Sequence, residues 1–326
     1  MSAGPLPRRS ALTAGKGFRL AAPVVTLCLL AWLVLRIDHT EFLRLLQGVR
    51  WQYALLAAGC SLVSLAASSL RWLGVVRSRT DVAVPYATVM RGTLVAAALN
   101  SVLPAKSGDL VKALYIKNRT GLGSGLGTVV LERSVDLFVL GLLGLTAGYA
   151  AGHAWAGSAG AALLVCVLAA TGVFLAVPLD RMPARLPLVT TAGQVRAVYR
   201  DWLAHPRCMA VTLLGSAAAW LAGGAAVAAL ALASGHPLDP RTVYSVFILA
   251  VLAGLVPVSV SGIGVRDAAF VVLLGKHMPT EAATFVALGY TACAYWVPAL
   301  AALLVLGPDL LRYARLARAP RDRRTP

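Results

Sequence analysis

The sequence predicts an all-α polytopic membrane protein, and three observations carry that prediction. Hydrophobic residues fill 59% of the 326 positions and charged residues only 13%, with a mean hydropathy of +0.76. A soluble domain carries about 25% charged residues. Four runs, 137–179, 208–238, 242–265 and 282–308, contain no Lys, Arg, Asp or Glu at all. A helix crossing the bilayer needs about 20 apolar residues. Finally, the basic residues gather in alternate connections between apolar runs, as the positive-inside rule requires.

The elements follow in order. Arg8, Arg9, Lys16 and Arg19 make residues 1–19 a basic N-terminus. The apolar run behind them continues too far, without a small-residue cleavage site, to read as a removed leader. It is read as a first span, near 20–36. Five more spans are predicted near 53–76, 124–150, 157–178, 208–234 and 282–307. Between the second and third, 84–118 is broken at Pro104; between the fifth and sixth, 243–275 is broken from Pro257 to Gly264. Each broken segment is expected to enter and leave from the same side, giving six spans plus two re-entrant segments. Eight full spans is the alternative. Residues 36–50 form either a short amphipathic helix on the outer surface or an ordinary connector.

With a cytoplasmic N-terminus, 21 of the 30 Lys and Arg fall in inside segments and 5 in outside ones. This places both termini in the cytoplasm of a cell-membrane protein. A single transmembrane domain is expected over 20–307, in halves of about 20–150 and 157–307, with a basic tail at 308–326. Three crossings per half make the second half inverted relative to the first. Inverted repeats are a transporter architecture, with the site between the repeats near the midplane.

Several classes are excluded. The net charge of +17 follows from the loop bias and the Arg-rich tail, which also suits anionic lipid headgroups. No basic aromatic surface or reading motif points to nucleic acid. The five cysteines (Cys28, Cys60, Cys166, Cys208, Cys293) are scattered, without the spacing of a metal site or disulfide framework. No Walker A sequence is present, so no cofactor and no ATP hydrolysis are expected.

Ionisable groups at membrane depth cost at least about 2.5–3.5 kcal/mol each at a helix centre, which marks them as site candidates. Arg71 ends the second span; it either snorkels to the interface or serves a substrate. In the third span Glu132 and Asp136 share a face, with Arg133 beside them, as an ion network or a proton-linked relay. In the first broken segment Pro104 removes a backbone donor, and Asn100, Lys106, Gly108, Asp109 and Lys112 surround it. Irregular backbone survives at depth only inside protein or along a wet cavity. Lys106 and Lys112 there offer cations to a phosphate, or are solvated in a cytoplasmic loop. In the second, Gly262 and Gly264 precede Arg266 and Asp267. A helix starting at Gly264 would present free N–H groups to an anion; Asp267 suits the same dipole, and Arg266 suits a lipid phosphate.

At these residues the chain resembles the transmembrane region of lysylphosphatidylglycerol synthases, including stand-alone, flippase-like members. The matching pieces are Asn100-x-x-x-Pro104 leading to Gly108-Asp109, Glu132-Arg133-x-x-Asp136, Gly262-Ile-Gly-Val-Arg-Asp267, and Arg71-Trp72. Asp109 and Asp267 stand where the family more often carries Glu, and the last span lacks an Arg often found there. The resemblance implies lipid handling. With Pro326 about twenty residues beyond the last span, no room is expected for the soluble aminoacyl-transfer domain of the full synthases.

The expected function is therefore a flippase-like transporter, moving an anionic or modified phospholipid or a polyprenyl-linked glycolipid between leaflets. The expected partners are membrane lipids with anionic headgroups. The alternative is an accessory subunit of a separate lipid-modifying or glycosyl-transfer enzyme, or a membrane-embedded transferase.

Overall fold

The computed structural model describes residues 24–318, apart from 30, 34, 80–83, 102, 151, 153, 180–186, 256–258, 260 and 261. The side chains of 104–106, 187 and 308–318 lie outside that description. Among the described residues there is no strand, and twelve helices follow one another from His39 on. Of the predicted first span, residues 24–29, 31–33, 35 and 36 are helical.

Of the two readings of 36–50 the helix is the one that forms: α1 (His39–Gly48) is started by Asp38, whose carboxylate accepts from the Thr40 and Glu41 N–H groups at 2.8 and 3.2 Å. Such a cap satisfies donors that a helix start otherwise leaves open. Then come α2 (Trp51–Arg77), α3 (Tyr86–Asn100), a 3-10 segment (Pro104–Leu110), α4 (Val111–Thr120) and α5 (Leu122–Ala150). The second half holds α6 (Ala154–Ala176), α7 (Pro187–Ala204), α8 (Pro206–Ala233), α9 (Pro240–Gly254), α10 (Val265–Leu274) and α11 (Thr280–Thr291). A π-turn (Ala292–Trp296) leads into α12 (Val297–Arg318).

Among the described residues four stretches are long and apolar enough to cross a membrane: α2, α6, α8 and Thr280–Gly307. The chain is an integral membrane protein. Its outer surface agrees: Val165, Leu168 and Val173 on α6 are each more than half exposed, as side chains against lipid are. Helix α5, at 29 residues, is about 43 Å long but carries Glu132, Arg133 and Asp136 in its middle.

The broken segments are built alike. Each has a 15-residue helix followed in the chain by a 10-residue helix, about 22 Å and 15 Å long, each shorter than the ~30 Å apolar core. The first doubles back on itself. A methyl group on Gly92 would lie 3.4 Å from the Tyr115 ring, and one on Gly108 2.8 Å from the Asn100 nitrogen, pairings that run antiparallel. The second also folds back: α9 packs on α10, and Phe270 and Leu274 share a core with Phe247, Ile248 and Val251.

Helices α2 and α8 pack antiparallel along their lengths, from Arg50, whose N–H donates to the Ala233 carbonyl at 3.0 Å, to Gly74 beside Thr212. A methyl group on Gly215 would sit 2.8 Å from the Arg71 backbone nitrogen, and one on Gly74 2.6 Å from the Thr212 hydroxyl. Only glycine at those two positions lets the backbones approach so closely. Other packing relations come in matched pairs: α2–α3 with α8–α9, α4–α5 with α10–α11, α3–α12 with α9–α5, and α2–α5 with α8–α11.

Two stretches differ from expectation. Residues 179–207, expected as a connection, contain α7. Its Val195, Val198, Tyr199 and Trp202 are buried with Leu131, Val135 and Val139 of α5, a one-face helical spacing. Arg196 donates to the carbonyls of Phe174 and Val177 and so closes the end of α6. The last helix also runs to Arg318, into the stretch expected as a tail, because 309–318 is rich in Leu, Arg and Ala, all strong helix formers.

Candidate functional site

Six ionisable groups meet where α2, the first hairpin and α5 converge. Arg71 donates through Nε and Nη2 to Glu132 at 3.1 and 2.9 Å, and through Nη1 to Asp136. Lys112 reaches both Glu132 oxygens at 3.0 Å and Asp109 at 3.5 Å. Arg133 pairs with Asp109 at 2.6 Å and Asp136 at 3.1 Å. Asn100 donates to Asp109 at 3.3 Å, and Ser216 on α8 donates to Asp136 at 3.1 Å. Three cations face three anions, so the cluster is formally neutral. Lys112 also lies 5.6 Å over the Trp72 ring, whose Nε1 donates to Thr128 at 3.1 Å.

Arg71 is 3% exposed. The snorkelling alternative therefore fails: α8 covers the residue, and its guanidinium turns inward to two carboxylates. Glu132 and Asp136 do share the inward face, at 0% and 5% exposure. Burying such charges is costly, and good geometry with every lone pair engaged is what offsets that cost.

The second group centres on Arg266. Its guanidinium lies between two aromatic rings, 4.9 Å from Tyr290 and 5.1 Å from Tyr295, a cation–π arrangement. It donates to Thr291, to the Tyr295 hydroxyl at 3.4 Å and to Asp267 at 3.3 Å. Thr291 in turn donates to Asp267 at 2.6 Å. Gly262 and Gly264 take φ of +81° and +90°, which L side chains rarely adopt, so the chain turns there into α10. The Gly264 N–H does not await an anion as expected: it donates to Asp267 Oδ2 at 3.0 Å. The chain supplies its own carboxylate at that helix start.

Both groups line one cavity of about 210 Å³ between the two halves. Arg71, Asn100, Asp109, Lys112, Arg133 and Asp136 border it from one side, and Arg266 with Tyr290 and Tyr295 from the other. Glu132 and Asp267 lie behind, holding the lining cations. Pro104 begins the 3-10 segment; its side chain and that of Lys106 fall outside the described residues. Two donors in the lining are unspent. Arg133 Nε and Arg266 Nε are buried without a hydrogen-bond partner among the described residues. Among the described residues no cluster of His, Cys, Asp or Glu is arranged to hold a metal ion.

The family described as the lysylphosphatidylglycerol synthase TM region matches residues 19–302. The chain belongs to that family. The match takes in both hairpins and every lining residue named above. No curated protein matches the chain. Charge at membrane depth and at the two breaks is what marks Arg71, Asp109, Glu132, Arg133, Asp136, Arg266 and Asp267 in the sequence. Sequence reasoning missed Tyr290, Thr291 and Tyr295, and it missed Ser61, Ser64 and Ser68, which line the cavity from α2. Serines spaced three and four apart in an apolar span were the available signal.

Proposed function

We propose that this membrane protein of the lysylphosphatidylglycerol synthase TM family is a flippase-like lipid transporter, holding a headgroup phosphate between its two hairpins. The observation that carries the reading is the pair of buried, unspent Nε donors, Arg133 and Arg266, on opposite sides of one cavity. Guanidinium groups hold phosphate through paired N–H donors. Every side-chain nitrogen of Arg71 and Lys112 has a carboxylate partner, so phosphate capture falls to the two arginines that each keep an Nε without one. The volume of about 210 Å³ lies below the 300–1,000 Å³ of sites that enclose a whole small molecule. It suits a headgroup whose acyl chains stay in the bilayer.

The matched helix lengths and paired packing relations support inverted repeats of three crossings each, with both hairpins re-entrant and both termini cytoplasmic. Alternating exposure of the cavity through movement of one half against the other then carries the headgroup across. The test is movement of headgroup-labelled phosphatidylglycerol between leaflets of proteoliposomes. Movement well above that of protein-free vesicles, reduced about tenfold or more in Arg266→Gln, supports transport. Movement equal to protein-free vesicles rejects it and favours the accessory-subunit reading.

A further inference from the structure

The charges around the cavity point to a second ligand, a proton, given the headgroup reading above. Among the described residues the lining holds four cations, Arg71, Lys112, Arg133 and Arg266. Four carboxylates answer them: Asp109, Glu132, Asp136 and Asp267, each ion-paired with Arg or Lys. The site is therefore formally neutral before anything enters it. A phosphodiester adds a negative charge, and in a largely buried space an uncompensated charge is costly. A proton taken up by one of the carboxylates cancels it.

The geometry selects which one. Arg133 is shared, with Nη2 2.6 Å from Asp109 and Nη1 3.1 Å from Asp136. Turned to a phosphate, it draws away from both. Asp136 keeps Arg71 Nη1 and the Ser216 hydroxyl. Glu132 keeps Arg71 at 2.9 Å and Lys112 at 3.0 Å. Asp267, beside Arg266, keeps the Gly264 N–H at 3.0 Å and the Thr291 hydroxyl at 2.6 Å. Asp109 gives up its 2.6 Å pair. Facing it then are Lys112 of α4 at 3.5 Å, already donating to both Glu132 oxygens, and the Asn100 amide of α3 at 3.3 Å. Glu132 and Asp136 of α5 add negative charge nearby, and Tyr295 stands across the cavity. Asp109 itself lines the cavity, so water can deliver a proton to it. We infer that Asp109 is a proton-binding site, filled when phosphate draws Arg133 away, so that phosphate binding and proton uptake are coupled.

Calorimetric titration of the purified full chain in detergent, repeated in buffers of different ionisation enthalpy, counts the protons. The probes are dihexanoyl phosphatidylglycerol and dimethyl phosphate, a soluble phosphodiester of the same charge. At its maximum the wild type is expected to take up about one proton per lipid, with affinity falling up to about tenfold per pH unit as pH rises. Asp109→Asn has the negative charge removed beforehand. It should bind the lipid without uptake, as tightly as the wild type does in acid, and independently of pH. Asp109→Glu keeps an acid there and should keep the uptake, which separates titration from a folding defect. Lipid binding with no proton taken up by the wild type, or uptake unchanged in Asp109→Asn, overturns the proton site while the phosphate site stands. Dimethyl phosphate bound as tightly as the lipid, with the same proton, supports the proton site and overturns the lipid assignment. Binding of neither probe overturns the headgroup reading and this inference with it.

Discussion

The two hairpins bring their cations to the cavity in opposite ways. The first is knotted into a six-membered network, in which Arg71, Lys112 and Arg133 face Asp109, Glu132 and Asp136. The second offers one arginine, held by two aromatic faces, a threonine hydroxyl and a single carboxylate. Aromatic rings orient a guanidinium without neutralising it. The first hairpin is therefore fastened to α2 and α5 by three cations and three carboxylates, whereas the second holds one guanidinium with one carboxylate and two ring faces. Arg133 is the exception in the first group, with a side chain 30% exposed to the cavity.

That contrast is open to direct attack, and the largest effect belongs to the network. Glu132 bonds both Arg71 and Lys112 at 0% exposure. Glu132→Gln leaves two buried cations short of a counter-charge and should cost about 3–5 kcal/mol, read as a lowered unfolding midpoint in detergent. An unchanged midpoint would mean that water reaches the cluster and screens it.

Next in size is Arg266→Lys. An ammonium keeps the charge but loses the planar fork and the stacking between Tyr290 and Tyr295. Headgroup affinity should fall about tenfold, or about 1.4 kcal/mol, with less loss of stability than Arg71→Lys causes. The reverse order of stabilities would erase the distinction between the hairpins.

A smaller effect separates the two tyrosines. Tyr295→Phe removes a hydrogen bond to Arg266, worth about 0.5–1.5 kcal/mol. Tyr290→Phe keeps the ring beneath the guanidinium and should bind headgroup nearly as the wild type does. Equal losses in titrations of the two variants would show that ring faces, not the hydroxyl, hold the arginine.

The smallest effect lies outside the membrane. The N–H groups of Glu41 and Thr40 hold the Asp38 carboxyl below its ordinary range. Its cap is therefore intact above about pH 3.9, the unfolded value, and is lost as pH falls through the lower folded value. Faster amide exchange at Thr40 and Glu41 on acidification should report this, and Asp38→Asn, which still caps, should remove the pH dependence.

Much of this was legible in the sequence. The apolar helices expected near 53–76, 124–150, 157–178, 208–234 and 282–307 correspond to α2, α5, α6, α8 and the α11–α12 stretch, within a few residues at most ends, and all but α5 are long and apolar enough to cross a membrane. Both breaks were visible as Pro and Gly among charges. Helix α7 escaped because its apolar face is four residues wide within a charged stretch, where loop charge dominated the reading. The pairing of Arg71 with Glu132 and Asp136 also escaped, since it links residues 61 and 65 positions apart and no local spacing encodes it. The aromatic clamp on Arg266 is similar: the π-turn at Ala292–Trp296 brings Tyr290 and Tyr295 to the same guanidinium, and the turn has no sequence signature of its own.

The most direct measurement is a structure of the full chain in phosphatidylglycerol nanodiscs, at a resolution that shows a bound phosphate. Phosphate density is expected within hydrogen-bond distance of Arg266 and Arg133, with the Arg71–Glu132 and Lys112–Glu132 pairs intact. Lipid found only around the basic tail, with water alone in the cavity, would contradict it.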